Sequence, residues 1–383
     1  MDYRIPFNRP FIVGKELFNV AQAVTRGRIA ADGIFTRLCS RFLEERLGIH
    51  KVLLTPSCTA ALEMAALLCG LAEDDEVILP SFTFVSTASA IVRTGARPVF
   101  VDIRPDTLNL DETLLKAAIT RQTKMILPVH YAGVSCQMDV IMATAAEHGI
   151  RVVEDAAQAV HSYYKDRAAG SIGHLAAFSF HETKNYTCGE GGALCINEES
   201  FVELAEILRD KGTNRQRFLR GQVDKYTWVE VGSSYVPSEI CTAFLWGQLE
   251  HFDAIAQRRH AIFSFYEELL KPLEERGLLR LPCVPASCQH NAHMFYVLLP
   301  SQRARDGLIE HLRERSILAV FHYVPLHSSP VGRRYGYDSG DFPVCEDVSA
   351  RLVRLPFYYE LNREDQVEIA HEISAFLAGP GKS

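Results

Sequence analysis

The chain has 383 residues, of which 48% are hydrophobic and 23% are charged, and its formal net charge is −7. This length and composition are typical of a globular protein with two domains, and the absence of a basic stripe excludes nucleic acid as an expected partner. The first ten residues carry charges and prolines where a secretory signal needs an apolar run, and no apolar stretch is long enough to span a bilayer. We therefore expect a cytoplasmic protein with no membrane partner.

Short apolar runs alternate with helical segments over the first two thirds of the chain. The predicted strands are 51–54, 76–80, 98–103, 125–129, 151–153 and 175–180, and the predicted helices are 14–25, 35–47, 60–71, 84–93, 112–119, 138–148 and 200–209. This alternation indicates an α/β fold with a mostly parallel sheet covered by helices on both faces. Residues 1–10 are expected to be extended, and the charged stretch 212–231 is expected to be a long functional loop.

The pattern changes beyond residue 238. A strongly helical stretch over 238–277 contains the predicted domain boundary, which we place between residues 252 and 253. It is followed by strands at 293–299 and 317–323, helices at 303–315 and 363–377, and a disordered tail over 378–383, with Asn362 as the predicted cap of the last helix. The sequence thus predicts a large domain over 1–252 and a smaller α+β domain over 253–383.

Ten cysteines are scattered along the chain without a CxxC pair or a matching Cys/His pair. This spacing favours reduced, mostly buried thiols and predicts no metal centre. Cys58 and Cys188 lie near the site discussed next. No Cys-His-Asn framework accompanies them, so we interpret neither as a catalytic thiol.

The stretch 178–192, FSFHETKNYTCGEGG, leaves a predicted strand and ends in a glycine-rich turn, with Lys184 in its middle. Partial burial lowers the pKa of a lysine ammonium, and the neutral amine attacks carbonyl groups, so this placement suits imine chemistry. A lone lysine on a loop is more often an ordinary surface residue. The interpretation therefore depends on partners elsewhere in the chain.

Two of those partners follow the predicted strand 151–153. Ligands of open α/β sheets bind beyond the carboxyl ends of the strands, where Asp155 and Gln158 are expected to lie. Asp155 either caps a helix or faces a cationic ring nitrogen, whose protonated form its charge would stabilise. Gln158 lies one helical turn further on, where its amide would reach a ring oxygen.

Other polar residues are suited to a phosphate. Ser57, Cys58 and Thr59 lie at a strand-to-helix turn, where backbone N–H groups and the helix dipole form either an anion site or a plain helix cap. Ser179 adds either a phosphate contact or a buried hydroxyl bonded to backbone. A lysine amine, a ring-nitrogen partner and a phosphate site together match what pyridoxal phosphate requires. We therefore interpret Lys184 as the catalytic residue of a pyridoxal phosphate site.

Several segments resemble the nucleotide-sugar aminotransferases of the DegT/DnrJ/EryC1/StrS family, over nearly the full length of the chain. The segments that carry this resemblance are 178–192, 153–158, 55–62, 80–87 (PSFTFVST) and 128–133 (PVHYAG). Within the family, the chain is similar to the branch that makes dTDP-4-amino-4,6-dideoxygalactose, on the segments 211–217 (KGTNRQR), 221–228 (GQVDKYTW), 291–298 (NAHMFYVL) and 321–327 (FHYVPLH).

The resemblance implies a pyridoxal-phosphate-dependent transferase of fold type I, active as a homodimer with its site at the subunit interface. By position it assigns cofactor contacts to Ser57, Cys58, Thr59, Phe84, Asp155, Gln158, Ser179 and Lys184. Phe84 would stack on the cofactor ring. Many members carry an asparagine near Ser234 that reaches the partner subunit's phosphate, and serine is shorter. His322 and Tyr323 would approach the sugar nucleotide, while His322 and His327 have either that role or a structural one.

The implied reaction moves an amino group from L-glutamate to C4 of a dTDP-4-keto-6-deoxyhexose, giving a dTDP-4-amino-4,6-dideoxyhexose and 2-oxoglutarate, with Lys184 as anchor and proton carrier. Another regiochemistry or nucleotide remains an alternative. A sugar dehydratase of the same fold is a second, although that branch has histidine in place of the lysine. A non-catalytic regulator that binds the cofactor or a sugar nucleotide is a third, although no added recognition module is visible.

Overall fold

A seven-stranded, mainly parallel sheet forms the centre of the protein in the computed structural model, which describes residues 3–379. The strands within these residues are β1 (Lys51–Thr55), β2 (Glu76–Pro80), β3 (Arg97–Val101), β4 (Thr123–Ile126), β5 (Arg151–Asp155), β6 (Tyr163–Tyr164), β7 (Arg167–Ala168), β8 (Leu175–Ser179), β9 (Gly192–Ile196), β10 (Cys288–Gln289), β11 (Tyr296–Leu298) and β12 (Leu352–Arg354). The large sheet has the order β1-β9-β8-β5-β4-β2-β3, and β9 pairs antiparallel with both of its neighbours. The predicted α/β class with a mostly parallel sheet is confirmed.

Helices cover both faces of this sheet. The α-helices in the described residues are α1 (Glu16–Thr25), α2 (Ile34–Leu47), α3 (Cys58–Leu68), α4 (Val85–Val92), α5 (Leu115–Ala118), α6 (Met138–His148), α7 (Val202–Arg209), α8 (Arg215–Leu219), α9 (Glu239–Leu249), α10 (Phe252–Glu275), α11 (Gln302–Arg313), α12 (Pro343–Arg351) and α13 (Arg363–Ala378). Successive strand side chains point to opposite faces. In β1, Leu53 therefore packs with α3 and α7, whereas Val52 and Leu54 pack with α2 and α9.

The C-terminal part of the chain has a core of its own. Its buried apolar side chains come from α10, α11, α13 and the antiparallel pair β11–β12, and Ile5 joins them from the start of the chain. A second cluster joins this part to the sheet, because Phe82 and Tyr131 pack with Met294 and Tyr296. The domain boundary between residues 252 and 253 stays a prediction, and it falls at the first turn of α10.

Several predicted elements need correction. The strand predicted at 317–323 is wrong, because its backbone forms only single bridges, Ile317 with Ile5 and Val320 with Arg354. The helical stretch 238–277 is two helices, α9 and α10. The strands β9 and β12 are not among the predicted elements. The predicted tail begins too early, since Ala378 ends α13, and residues 380–383 lie outside the described part of the chain. Residues 1–2 of the predicted extended segment also lie outside it.

Side chains of Asn362 and Glu239 cap the starts of two α-helices. Asn362 accepts a hydrogen bond of 2.7 Å from the Asp365 amide at the start of α13, which confirms its predicted capping role. The start of α2 is capped from far along the chain, since the buried Glu239 carboxylate accepts from the amides of Gly33 and Phe35 at 3.0 and 2.6 Å. This contact fixes α2 against α9. Over residues 3–379, no helix combines the length and apolar character that crossing a membrane requires.

Candidate active site

A cavity of about 560 Å³ opens at the carboxyl edge of the sheet. β5 ends in Asp155 and β8 ends in Ser179, and the turn after β1 carries Ser57. Ten of the twelve predicted site residues line this cavity: Ser57, Cys58, Thr59, Phe84, Asp155, Gln158, Ser179, Lys184, His322 and Tyr323. The fold therefore brings together residues that are up to 266 positions apart, as expected for strand ends of a parallel sheet.

Lys184 lies in the ordered turn between β8 and β9. Backbone hydrogen bonds from Lys184 to His181, and from Cys188 to Phe180, close this turn at 2.9 Å each. The neighbouring Asn185 is buried, and its amide donates to the carbonyl of Asn291 over 2.7 Å. The main chain around Lys184 is thus tied to a segment from the C-terminal part of the protein.

The amine of Lys184 is available for chemistry. Among residues 3–379, its Nζ has neither a hydrogen-bond nor an ion-pair partner, although Asp155 and Cys58 are near enough to act on its charge. Burial lowers the pKa of Lys184 below the ordinary lysine value, because the cavity wall removes water from the ammonium form. This shift increases the fraction of neutral amine, as imine chemistry requires.

Asp155 is held by hydrogen bonds at the base of the cavity. Its Oδ2 accepts from the Thr87 hydroxyl at 2.8 Å, and its Oδ1 accepts from the Ala157 amide at 3.2 Å. The Thr87 oxygen is in turn 2.8 Å from the Thr83 hydroxyl, which donates to it because the Thr87 proton is already given to Asp155. Burial raises the pKa of Asp155, whereas these hydrogen bonds and Lys184 oppose the rise. A protonated ring nitrogen placed here would favour its ionised form.

The N-terminus of α3 has the geometry of a candidate anion site. Ser57 is the N-cap, and its Oγ accepts from the Ala60 amide at 3.1 Å. The amides of Cys58 and Thr59, at the first two helical positions, have no acceptor within the helix and can donate to an anion bound there. Gly192, the first residue of β9, lies against this turn so closely that a Cβ would be 2.4 Å from the Cys58 nitrogen.

The remaining predicted cofactor residues line the walls of the cavity. The Gln158 carbonyl oxygen accepts from the Ala132 amide at 2.7 Å, and its NH₂ group donates to the Tyr323 hydroxyl at 3.0 Å. The Phe84 ring is 56% exposed and lies 6.3 Å from the Tyr323 ring, centroid to centroid. Ser179 is buried, and its Oγ has a weak contact of 3.4 Å with the His181 amide.

His322 is buried on the same wall. Its Nδ1 is hydrogen-bonded to the Tyr131 hydroxyl at 3.0 Å. Burial, with the nearby charges of Arg354 and Lys184, lowers the pKa of His322 well below the ordinary histidine value. The ring is therefore neutral at physiological pH and contributes hydrogen bonds rather than charge to this wall.

Two predicted residues lie away from the cavity. His327 is fully buried, with Nδ1 2.6 Å from the Ser81 hydroxyl and Nε2 2.8 Å from the Glu346 carboxylate. Both ring nitrogens are occupied, so the geometry supports the structural alternative for His327 over a contact with the substrate. Ser234 is exposed on the loop after α8, where its backbone bridges to Asp210. Its contact with a partner subunit stays a prediction.

Three residues that shape this site were not predicted. Thr87 orients Asp155, Asn185 fixes the turn of Lys184, and Arg354 lines the cavity beside them. Thr87 lies in the segment PSFTFVST, and Asn185 follows the lysine directly, so position within motifs was the available signal for both. Arg354 lies in β12, which has only three residues and no distinctive pattern.

The residues present fit pyridoxal phosphate. The open amides of α3 suit its phosphate, the buried carboxylate of Asp155 suits its ring nitrogen, and the unpartnered amine of Lys184 suits its aldehyde. Within the described residues no group of three potential metal ligands is close enough to hold an ion. The ten cysteines are free thiols, and burial raises the pKa of Cys58 well above the ordinary thiol value.

Comparison with known proteins agrees with this geometry. The model of the DegT/DnrJ/EryC1/StrS aminotransferase family matches residues 12–374, and the chain belongs to this family. Its members are pyridoxal-phosphate-dependent aminotransferases, and the protein is accordingly a transferase that uses this cofactor.

Individual relatives cover almost the whole chain. The spore coat polysaccharide biosynthesis protein SpsC of Bacillus subtilis is 33% identical over 383 residues, which are 98% of this chain and 97% of SpsC. Spr1654 of Streptococcus pneumoniae has a TM-score of 0.91 and 27% identity over 98% of both chains, and it has also been solved in PLP and PMP forms. DesV of S. venezuelae, solved with a ketimine intermediate, has a TM-score of 0.88 and 29% identity over 99% of this chain and 100% of its own. These likenesses confirm fold type I.

Proposed function

We propose that this aminotransferase moves the amino group of L-glutamate to C4 of dTDP-4-keto-6-deoxy-D-glucose, giving 2-oxoglutarate and a dTDP-4-amino-4,6-dideoxyhexose of galacto configuration. The observation that carries the amino transfer is the unpartnered Lys184 amine in one cavity with Asp155 and the N-terminus of α3. The branch-specific segments, among them KGTNRQR at 211–217, support the choice of nucleotide sugar. SpsC, named for polysaccharide biosynthesis, supports a product destined for a surface polysaccharide.

The side chains divide the work of this reaction. When bound, pyridoxal phosphate supplies the electron sink for the bonds that change at the donor's α-carbon. Asp155 would balance the charge of the ring nitrogen, and the α3 amides with Ser179 would hold the phosphate. The neutral amine of Lys184 would act as the general base and acid that carries the proton leaving the donor's α-carbon. His322 and Tyr323, which line the same cavity, would orient the sugar.

We further propose a homodimer whose subunits complete each other's sites. The loop over 210–235 supports this arrangement, because it exposes Ser234 together with apolar side chains such as Trp228 and Val231. Exposed apolar side chains of this size are typical of contact surfaces. Sedimentation equilibrium is expected to give twice the chain mass at micromolar concentration, whereas a monomer would contradict this part of the proposal. The cytoplasmic location stays a prediction.

The reaction is tested by absorbance, one half at a time. L-Glutamate added to the cofactor-loaded protein is expected to convert its visible band to that of the pyridoxamine form. dTDP-4-keto-6-deoxy-D-glucose is then expected to restore the band, with an amino sugar identified by mass spectrometry and NMR. Conversion by glutamate without recovery by this sugar would retain the aminotransferase and overturn the acceptor. A UDP-linked keto sugar and a C3-keto sugar, tested in parallel, distinguish the alternative nucleotide and regiochemistry.

A dehydratase and a binding regulator would each give a different outcome in this assay. The dehydratase would release ammonia and a deoxygenated sugar, and the presence of Lys184 rather than histidine argues against it. A binding regulator would show ligand binding with no product after long incubation. The unpartnered Lys184 amine, whose pKa is lowered by burial, favours aminotransfer over both.

A further inference from the structure

Arg354 carries a guanidinium on the cavity wall that no carboxylate in residues 3–379 neutralises. Its backbone is fixed at the end of β12 by hydrogen bonds of 2.7 and 3.1 Å with Val320. Its Nε is buried without a partner, and its Nη2 reaches only the carbonyl of Phe321, at a long 3.4 Å. A partly buried cation without an anion is costly, so this wall favours an anionic ligand.

Arg259 shows how a structural guanidinium in the same region differs. Its side chain is fully buried, and its Nε and Nη2 donate to the carbonyls of Ala292 and His293 at 3.0 and 2.6 Å. These carbonyls satisfy its donors without a ligand. An arginine in this region can thus have its donors satisfied by backbone carbonyls, and those of Arg354 are not.

Phe7 holds the Arg354 guanidinium flat. The guanidinium carbon lies 4.7 Å from the centroid of the Phe7 ring. The segment that carries Phe7 is itself fixed, because its carbonyl accepts from the Phe357 amide at 3.0 Å and the Asn8 side chain donates to the Glu182 carbonyl at 3.2 Å. Stacking on one face leaves the N–H edge of a guanidinium free to meet a planar anion with two parallel hydrogen bonds.

The position of Arg354 indicates which of the anions in the reaction it binds. The cofactor phosphate has its own site at the N-terminus of α3, and the keto sugar's charges are separated from its reacting carbon by the hexose ring. The donor's α-carboxylate, by contrast, is bonded to the carbon that carries the reacting amine, so it must lie beside Lys184. Arg354 is near enough to Lys184 to act on its charge.

We propose that Arg354, held in plane by Phe7, binds the α-carboxylate of the amino donor. Arg354 would then confine the donor to α-amino acids, and the keto sugar would enter without using this contact. The assignment rests on the proposed function in that it takes an amino acid as the donor.

The test measures the two half-reactions separately in Arg354→Gln, Arg354→Lys and Phe7→Leu. Loss of the charged contact is expected to raise the apparent Kd for L-glutamate about 100-fold in Arg354→Gln. Arg354→Lys keeps the charge but not the two parallel donors of a guanidinium, so its affinity for L-glutamate is expected to fall less. Phe7→Leu keeps the guanidinium with its charge and its donors. Its affinity for L-glutamate is expected to fall about threefold, since only the stacking is removed. The keto-sugar half-reaction is expected to keep its wild-type rate.

A second donor isolates the α-carboxylate. 4-Aminobutyrate is glutamate without that group, so Arg354→Gln is expected to abolish most of the preference for glutamate over 4-aminobutyrate while leaving 4-aminobutyrate unchanged. Spectral titration with L-2-methylglutamate, which has no α-hydrogen, is expected to show the same weakening at equilibrium, independently of turnover.

Equal losses with both donors, or a loss confined to the keto-sugar half-reaction, would overturn the assignment. If Arg354→Gln does not fold, Arg354→Lys and Phe7→Leu test the assignment through the same ratio of the affinities for L-glutamate and 4-aminobutyrate. A wild-type protein that ignores L-glutamate would instead remove the proposed function, and it would do so before any variant is compared.

Discussion

Thr87 donates a hydrogen bond of 2.8 Å to Oδ2 of Asp155 and thereby connects helix α4 to the end of strand β5. The two residues are 68 positions apart, and both are buried. Burial raises the pKa of Asp155, whereas this hydrogen bond stabilises its ionised form. The Thr87 hydrogen bond thus helps Asp155 to stay ionised at lower pH, and a protonated ring nitrogen needs that charge.

Thr87→Val is expected to raise the pKa of Asp155 further, because the ionised carboxylate loses a donor. Binding of pyridoxamine phosphate, which has the ring nitrogen but does not link to Lys184, then weakens at higher pH than in the wild type. The acidic limb of affinity against pH is expected to move to higher pH. Thr87→Ser keeps the hydroxyl and serves as the control. Coincident limbs for the valine and serine variants would contradict this role.

Gly192→Ala is expected to weaken cofactor binding about tenfold or more, because the new Cβ would lie 2.4 Å from the Cys58 nitrogen and displace the turn that holds the phosphate. Gly191→Ala is the matched control. Its Cβ would approach the Cys188 sulfur, which is a side-chain atom that rotates away. Fluorescence titration with pyridoxal phosphate measures both, and equal affinities in the two variants would show that the Gly192 contact is unimportant.

Sequence patterns identified the centre of this fold because its strands are buried on both faces and appear as short apolar runs. β9 was missed because the glycine-rich segment before it masks its start at Gly192, and β12 has only three residues. The strand predicted at 317–323 does not form because its backbone finds partners only in single bridges. Apolar composition alone does not reveal which edge will pair.

The site shows the same division. Lys184 and Asp155 were predicted because their residue types at strand ends suggest a chemistry. The role of Thr87 depends on a hydrogen bond to a residue 68 positions away. For His327 the sequence leaves a substrate role and a structural role open, because its partner Ser81 is 246 positions away and no local pattern shows that both its nitrogens are used.

Ser234→Asp tests the shared site of the proposed dimer. If Ser234 faces the partner subunit's phosphate, a carboxylate there repels it, and the affinity for pyridoxal phosphate is expected to fall about tenfold. Ser233→Asp adds the same charge at the neighbouring position and is expected to bind normally. Equal effects of the two substitutions on cofactor affinity would argue against the cross-subunit contact.

Glu239→Ala is expected to lower the free energy of unfolding by about 3 kcal/mol, because several buried donors at the start of α2 lose their acceptor. The exposed Glu250, just past the other end of α9, provides the control, since Glu250→Ala removes a carboxylate from the same region without a cap. Urea unfolding followed by circular dichroism measures the difference. Similar midpoints for the two variants would show that the cap does not stabilise the fold.

The central claim is that Lys184 is the residue that links to the cofactor, and reductive labelling tests it most directly. Borohydride reduction of the protein loaded with pyridoxal phosphate, followed by peptide mass mapping, is expected to place the label on Lys184. Lys184→Ala is expected to lose both the label and turnover, while the exposed Lys124→Ala keeps both. Label at another lysine, or substantial turnover by Lys184→Ala, would contradict this claim.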